Sequence, residues 1–220
     1  MPATVTLLAT AATAALVVTA WRNNFAAHPG ADNEQVLNSR SPSRSSAFLA
    51  RLFDRVLTDR PAGAPPSVLC DIGGAGQITP ASDPAGRIGT VIQVNDPEGV
   101  PGAIPEAAFH ALARTDLDLV TFFGVCMYLD EAHLGRYFAS IRAKLRPEGW
   151  LVIADPEYGS GLERSLRSMA TAWLLATPID YKPMAAVARI AAQNGFELVH
   201  RQTHAGDWYV AFFRPAPVSA

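Results

Sequence analysis

Val68-Leu-Cys-Asp-Ile-Gly-Gly-Ala-Gly76 is the stretch on which the reading of this chain turns. Val68 to Cys70 is short and apolar, as a buried strand would be. Asp71 stands where that strand should emerge, and Gly73, Gly74 and Gly76 come after it. A turn without Cβ atoms lets the backbone come close to a bound small molecule. Glycine turns after strands also serve NAD, FAD and nucleoside triphosphates, and many only turn the chain. The residues C-terminal to Gly76 decide among these roles.

Three more apolar runs lie in that part of the chain. Val91-Ile-Gln-Val94 ends in Asn95-Asp96, Leu117 to Phe123 ends in Gly124, and Trp150 to Ala154 ends in Asp155-Pro156. Each is short, rich in β-branched or aromatic residues and almost continuously apolar, which suits strands buried on both faces of a parallel sheet. In open α/β sheets a ligand sits beyond the carboxyl ends of the strands. Asp96 is placed there, and a carboxylate can accept hydrogen bonds from both hydroxyls of a ribose diol.

The ordered series resembles the class I S-adenosylmethionine-dependent methyltransferases over roughly Val68 to Pro215, about two-thirds of the chain. Asp71-Ile-Gly-Gly-Ala-Gly76 resembles their first motif, the glycine loop under the methionine part of the cofactor. Val91 to Asp96 resembles the end of their second strand, whose acid binds the ribose. Asp118-Leu-Val-Thr-Phe-Phe-Gly124, continued by Val-Cys-Met-Tyr-Leu-Asp130, resembles the fourth strand and the turn beyond it. Leu145-Arg-Pro-Glu-Gly149 resembles the turn that leads into their fifth strand. Gly195 to Val199 and Trp208 to Phe213 resemble the antiparallel closing strands. The resemblance implies an α/β fold: a Rossmann-like, mostly parallel sheet with helices on both faces and an antiparallel closing strand pair. It implies S-adenosyl-L-methionine as cofactor, held by Asp71, Gly73, Gly74, Gly76, Asn95, Asp96, Phe123 and Gly124.

The chain departs from that pattern in two places. Gly73 and Gly74 are adjacent, so the first motif is one residue short. Gln77 to Gly86 then carries Pro80, Pro84 and Gly86 where the family has a clean helix, and such residues oppose a regular one. Between Asp96 and Asp118 there is no convincing third strand and no adenine-binding acid. Pro97 to Gly102 reads as a loop, and Glu106 to Arg114 as one short helix.

At 220 residues, 49% hydrophobic and 17% charged, the chain reads as one globular domain with an appendage. Its net charge of −2 gives no electrostatic reason to expect nucleic acid as a partner. Cys70 and Cys126 lie in or just after strands and read as reduced core residues. No cysteine or histidine spacing suggests a metal site. The chain divides into an apolar helix at 1–24, a linker and helical lead-in at 25–66, the methyltransferase-like domain at 67–215, and a tail at 216–220.

Residues 3–20 carry no charge and precede Trp21-Arg22. The length just spans a bilayer, but alanine and threonine dominate and no basic residue precedes the segment. It reads as a membrane contact or as a helix packing on the domain or on a second subunit, through Leu7, Ala11, Ala14, Ala15 and Val18. A homodimer stays open on the same grounds. The catalytic part is expected in the cytoplasm, where the cofactor is made.

Ser39 to Ser46 reads as a solvated linker ending in a serine cap. Phe48, Leu49, Leu52, Phe53 and Val56 predict a helix over the sheet edge before the first strand. Leu134, Phe138, Ile141 and Leu145 predict another. Leu162, Leu166, Met169, Trp173 and Leu174 predict a helix over the cofactor end of the sheet, with the methionine and tryptophan in the core and an apolar wall for a substrate pocket. Met184 to Asn194 predicts a last helix, opened by Pro183 and closed by Gly195.

Methyl transfer to a hydroxyl or thiol also needs a proton removed. The candidates beyond the strand ends are Tyr128, His133, Glu157 and Tyr158, with His110 and His204 behind them. For each, a surface or structural duty is the competing reading. No Asn-Pro-Pro-aromatic sequence comes after the fourth strand, so by resemblance the acceptor is a small molecule. The apolar pocket wall and N-terminus lean towards a hydrophobic one. Two other readings remain. One is a methyltransferase-like fold that binds a ligand, serves as a partner subunit or catalyses another reaction such as a cyclisation. The other, a nucleotide-dependent oxidoreductase, lacks the Gly-x-Gly-x-x-Gly spacing it needs.

Overall fold

A computed structural model describes residues 41–58, 61, 64–159, 161–175 and 177–217, with residues 173 and 174 described in backbone only. The expectations for residues 1–40, including the apolar segment at 3–20, lie outside the described residues.

Six strands form a single sheet in the order β2-β1-β3-β4-β6-β5. They are β1 (Ser67–Ile72), β2 (Ile88–Val94), β3 (Leu117–Phe123), β4 (Leu145–Pro156), β5 (Phe196–His204) and β6 (Trp208–Pro215). β2, β1, β3 and β4 run parallel, while β6 is antiparallel to both β4 and β5. The fold is thus the expected mostly parallel α/β sheet with an antiparallel closing pair. β3 and β4 occupy the middle, and every residue of β3 is buried, its Asp118 and Thr121 included. The Leu145-to-Gly149 turn is taken up into β4, and the register against β3 shifts between Leu117 and Leu119.

Helices lie on both faces. On one face α2 (Glu106–Ala111), α3 (Glu131–Lys144) and α5 (Met184–Gln193) close a core that includes Ile72, Phe109, Val120, Phe122, Phe138, Ile153, Val187 and Phe213. The other face meets α1 (Ser46–Leu57), whose Phe48, Leu49, Leu52, Phe53, Val56 and Leu57 pack with Leu69, Leu119, Val152, Val210 and Phe212. This corrects the expectation that α1 covers only the sheet edge. Its apolar stripe is wide enough to meet residues from the central strands and from the closing pair. Ser45 caps α1 by accepting the Phe48 N–H at 3.2 Å. Ser45→Ala should therefore cost about 1 kcal/mol, read as a lowered Tm.

No helix forms after the glycine loop. Pro80–Ser82 is a single 3-10 turn, as the prolines dictate. The segment is held by charge instead: Asp83 grips Arg87 through both carboxylate oxygens at 2.8 and 3.1 Å, and Arg87 reaches Asp54 of α1 at 2.9 Å. Between β2 and β3 a single bridge, Val94 to Ile104, stands beside the β2 edge.

α4 (Gly161–Leu175) forms where expected; Leu166 is half-buried, and the side chains of Trp173 and Leu174 lie outside the described residues. Leu162 and Met169 are exposed, at 72% and 69%. The inward face includes Ser168, Thr171, Ala172 and Leu175, which lie at helical spacing. Ser168 Oγ accepts the Tyr181 N–H at 3.1 Å, and the Tyr181 hydroxyl donates to Thr171 Oγ1 at 3.2 Å. Hydroxyl bonding to a buried tyrosine decides the face here, which an apolar count misses. Cys70 and Cys126 are free thiols, both buried, as expected. Among the described residues no helix is long and apolar enough to cross a membrane.

Candidate functional site

The loops after β1, β2 and β3 join at the carboxyl end of the sheet. Gly73 leaves β1 at φ +71°, and its N–H donates to Val94 O at 2.8 Å. A Cβ there would lie 2.4 Å from Val125 Cγ2, so the glycine loop is pressed against the turn after β3. The Asn95 amide donates to Gly74 O at 2.9 Å and ties the β2 end to the same loop. Gly76 and Gly124 also take positive φ, at +76° and +75°. Positions of this kind accept glycine and little else.

Asp96 is exposed beside this loop. One carboxylate oxygen accepts the Glu98 N–H at 3.0 Å, which fixes the side chain in a turn. Phe123 behaves differently from the expectation. Its ring is buried and meets Phe48 edge to face at 6.2 Å, so it fills the α1 side of the core. Gly124, also buried, donates its N–H to Ala154 O at 2.8 Å and begins the turn after β3.

Asp71 lies beneath the glycine loop and is 1% exposed. Thr121 on β3 donates to its Oδ1 at 2.7 Å. Its Oδ2 has no hydrogen-bond partner, and neither has Oε1 of Gln93, its register partner on β2. Burial pushes the Asp71 carboxyl up to about 7, against the opposing pull of the Thr121 hydroxyl and the Gln93 amide.

The candidate acid–base residues separate into different surroundings. Tyr128 and Tyr158 come together, packed on a buried cluster of Met127, Ile179 and Tyr181. Tyr158 meets Tyr181 edge to face at 4.8 Å, and the Arg167 guanidinium lies 4.4 Å over its ring. Glu157 instead accepts the Met184 N–H at 3.0 Å, at the start of α5. His133 and His110 share one oxygen of Glu106, at 2.5 and 3.1 Å, and Ser140 meets the other ring nitrogen of His110 at 2.6 Å. Partial burial alone would raise the Glu106 carboxyl, but the bonds to His133 and His110 outweigh it and hold the group below the usual range. These residues brace α2 against α3, and neither imidazole belongs to the tyrosine cluster. His204 packs on Phe48 at 4.9 Å, and burial holds it below the ordinary imidazole value.

Several residues of this region carry no signal in the sequence. Tyr181 and Lys182 belong to no local motif and reach the strand ends only through the fold, and Thr121 lies in the third apolar run without a sign of its bond to Asp71. The Glu106–His110 pair did carry a signal, since residues four apart on a helix face each other. A groove of about 1090 Å³ lies at the opposite, amino end of the sheet, lined by Val56, Leu57, Asp118, Arg146 and Arg214 among others. It is far from the converging loops, which carry the stronger chemical signal.

A doubly wound α/β sheet with a glycine loop, an exposed acid and a third turn at its carboxyl end defines a small-molecule-binding domain of Rossmann-like type. A family model described as "Methyltransferase domain" matches residues 42–201, more than half of the chain. The chain belongs to this methyltransferase domain family. No curated protein matches its sequence. Solved structures match the fold at low identity. The 1,6-didemethyltoxoflavin-N1-methyltransferase of Burkholderia thailandensis, with bound 1,6-didemethyltoxoflavin and S-adenosylhomocysteine, is 17% identical with a TM-score of 0.59, and the match covers 94% of this chain and 89% of that one. The N,N-8-amino-8-demethyl-D-riboflavin dimethyltransferase of Streptomyces davawensis is 20% identical with a TM-score of 0.53, covering 88% of this chain and 62% of that one. A pericyclic reaction enzyme is 15% identical with a TM-score of 0.53, covering 75% and 47%. The chain therefore spans about three-fifths of the second structure's length and about half of the third's.

Proposed function

We propose that this protein transfers a methyl group from S-adenosyl-L-methionine to a small, hydrophobic acceptor. The carrying observation is the convergence of three turns at the carboxyl end of the sheet: the Gly73–Gly76 loop is hydrogen-bonded to Val94 and Asn95 at the end of β2 and pressed against Val125 of the turn after β3. The residues fit the cofactor. The loop is open at Gly76, where a Cβ would meet only Val100 at 3.9 Å. Asp96 presents an exposed carboxylate at the end of β2, suited to two vicinal hydroxyls. In this reading Gly73, Gly74 and Gly76 lie under the methionine part, Asn95 orients the loop, Asp96 holds the ribose, and Gly124 borders the adenine.

When bound, S-adenosylmethionine supplies a sulfonium-activated methyl group open to in-line displacement at carbon. The protein's share is then to hold the acceptor close and aligned. Tyr128 and Tyr158, backed by Tyr181, Met127 and Ile179, give a ring-lined wall for an apolar acceptor. Glu157 serves α5 and His133 serves the α2–α3 brace, so positioning carries more of this reading than proton removal does. The small-molecule methyltransferases among the structural neighbours support it, as does the chain's net charge of −2, which offers nucleic acid no attraction. The catalytic part acts in the cytoplasm, where the cofactor is supplied.

Calorimetry with S-adenosylmethionine and S-adenosylhomocysteine tests the reading. Binding is expected, and Asp96→Ala should weaken it by about tenfold to hundredfold, as loss of a charged hydrogen-bond acceptor does. Unchanged affinity in that variant would remove the ribose contact, and no binding at millimolar concentration would sink the cofactor assignment. A second reading is favoured by the single 3-10 turn in place of a helix after the loop and by the pericyclic enzyme among the neighbours. The fold would then bind a ligand, partner another subunit or catalyse another reaction such as a cyclisation. Cofactor binding with no methylated product across a panel of acceptors would favour it.

A further inference from the structure

The turn that carries Tyr128 is gripped from two sides by buried polar side chains, Lys182 and Asp155. Lys182 is 5% exposed. Its ammonium donates to Cys126 O at 3.1 Å, to Leu129 O and to Asp180 O at 3.3 Å, and it meets the Asp180 carboxylate at 3.0 Å. The Asp180 N–H donates to Met127 O at 2.8 Å. From the other side Asp155, 2% exposed, accepts the Cys126 N–H at 3.2 Å. The single turn Cys126–Tyr128 thus has its carbonyls bonded by residues 180–182 and its first N–H bonded by the end of β4.

This arrangement is costly unless the geometry is needed. Burying an ammonium or a carboxyl group is unfavourable unless it is hydrogen-bonded. Here the Lys182 ammonium bonds two carbonyls of one four-residue turn between β3 and α3 as well as Asp180, and the Asp155 carboxyl accepts that turn's first N–H. Next to it, Asp155 Oδ1 and the hydroxyl of Tyr209, its register partner on β6, are buried without hydrogen-bond partners. The polarity gathered here exceeds what packing alone would require. Its outcome is a fixed backbone at residues 126–129, with the Tyr128 ring laid on the Met127–Ile179–Tyr181 cluster beside Tyr158.

We propose that Lys182 and Asp155 are positioning residues that lock the 126–129 turn and so hold Tyr128 in place as one wall of the acceptor pocket. The proposal rests on the reading of the tyrosine cluster as that pocket's wall. Lys182 supplies the larger share, because its ammonium bonds two carbonyls of the turn, those of Cys126 and Leu129, where Asp155 bonds a single N–H.

The test uses the full chain and the variants Lys182→Met, Lys182→Arg and Tyr128→Ala. Hydrogen–deuterium exchange read by mass spectrometry reports on residues 124–132. Fluorescence titration with the aromatic dye 8-anilinonaphthalene-1-sulfonate reports on the ring-lined wall, and S-adenosylhomocysteine calorimetry reports on the glycine-loop side. Lys182→Met is expected to speed exchange in that segment by about tenfold, as local opening becomes easier. It should weaken the dye about as much as Tyr128→Ala does, and more than it weakens S-adenosylhomocysteine. Lys182→Arg, which can still donate, should recover most of both effects. Parent-like exchange in Lys182→Met overturns the clamp. A loosened turn with unchanged dye affinity overturns the link from clamp to wall. Unchanged dye affinity in Tyr128→Ala overturns the acceptor-wall reading, while the exchange data still judge the clamp separately. Should Lys182→Met not fold, Asp155→Ala removes the acceptor for the Cys126 N–H and carries the same readings.

Discussion

Gly74→Ala is expected to abolish S-adenosylhomocysteine binding and to destabilise the fold by about 3 kcal/mol, the upper part of the range for overpacking a buried site. A Cβ at this position would lie 1.8 Å from Asp71 Oδ2 and 2.5 Å from its Cγ. The carboxylate cannot step aside. It is pinned by Thr121 at 2.7 Å, and its own strand is hydrogen-bonded on both sides by β2 and β3. The loop must rise instead, which breaks the Gly73–Val94 and Asn95–Gly74 hydrogen bonds. Gly102→Ala makes a suitable control. It sits at φ +83° with nothing within 4 Å of its Cβ, so only backbone strain of about 1–2 kcal/mol applies. Melting curves and calorimetry on the two variants check the difference. The double variant Asp71→Ala, Gly74→Ala should recover stability over Gly74→Ala alone, because the clashing atoms are gone. A Gly74→Ala protein no less stable than the Gly102→Ala control would show that the loop has room the structure denies it.

Stability should fall as pH rises from about 4 to about 7. Burial raises Asp71 from its usual 3.8 to about 7, and does the same to Asp155, each against hydrogen bonds that oppose it. For a carboxyl raised on folding, the native state keeps its proton after the unfolded chain has lost it. Its stabilising contribution is complete below the unfolded value and disappears as pH climbs through the folded one. Two such groups acting together amount to several kcal/mol, at about 1.4 kcal/mol for each pKa unit. Asp83, Asp116 and Glu106 work in the opposite sense. Burial opposes the lowering in Asp83 and Glu106, but bonds to Arg87 and to the two imidazoles prevail, while the Arg114 guanidinium lowers Asp116 directly. Their contribution is present above the unfolded carboxylate value and is lost in stronger acid. Maximum Tm should therefore lie in mildly acidic solution, with a decline towards neutrality that is largely flattened in Asp71→Asn, Asp155→Asn protein. A Tm that rises steadily from pH 5 to 8 would be incompatible with two buried neutral carboxyls.

Features were legible in the sequence where the deciding contacts are local. Val68 to Gly76 spells out a strand, its exit and its loop because these are consecutive in the chain. The same holds for Val91 to Asp96 and for the apolar run of β3, where burial on both faces leaves no polar alternation. The missing helix after Gly76 was legible in Pro80 and Pro84, since their chemistry acts on their own backbone. Other features were not readable because the deciding partner is far away in sequence. α4 presents Ser168 and Thr171 inward only because Tyr181 needs hydroxyl partners. His133 falls to Glu106 only once α2 and α3 are side by side. Phe123 ends a strand like a cofactor neighbour, but the α1 face of the sheet claims its ring. Nothing beside Lys182 in sequence marks it, and the turn carbonyls it holds, those of Cys126 and Leu129, lie 56 and 53 residues away.

The two outer strands differ in what they offer to other chains. The β2 side is partly shielded by the bridge to Ile104. On the other side no strand pairs beyond β5 among the described residues, and Leu198 and Val199 stand exposed there at 41% and 51%. A free edge with adjacent aliphatics is the usual template for strand addition and aggregation. The register slip between Leu198 and His200 leaves Val199 without a partner on β6, and Glu197, His200 and Arg201 flank the two aliphatics. A kinked edge bearing charge is a poor surface for another strand to extend. The irregularity in β5 thus acts as protection for a chain whose interior strands are among the most apolar segments it has.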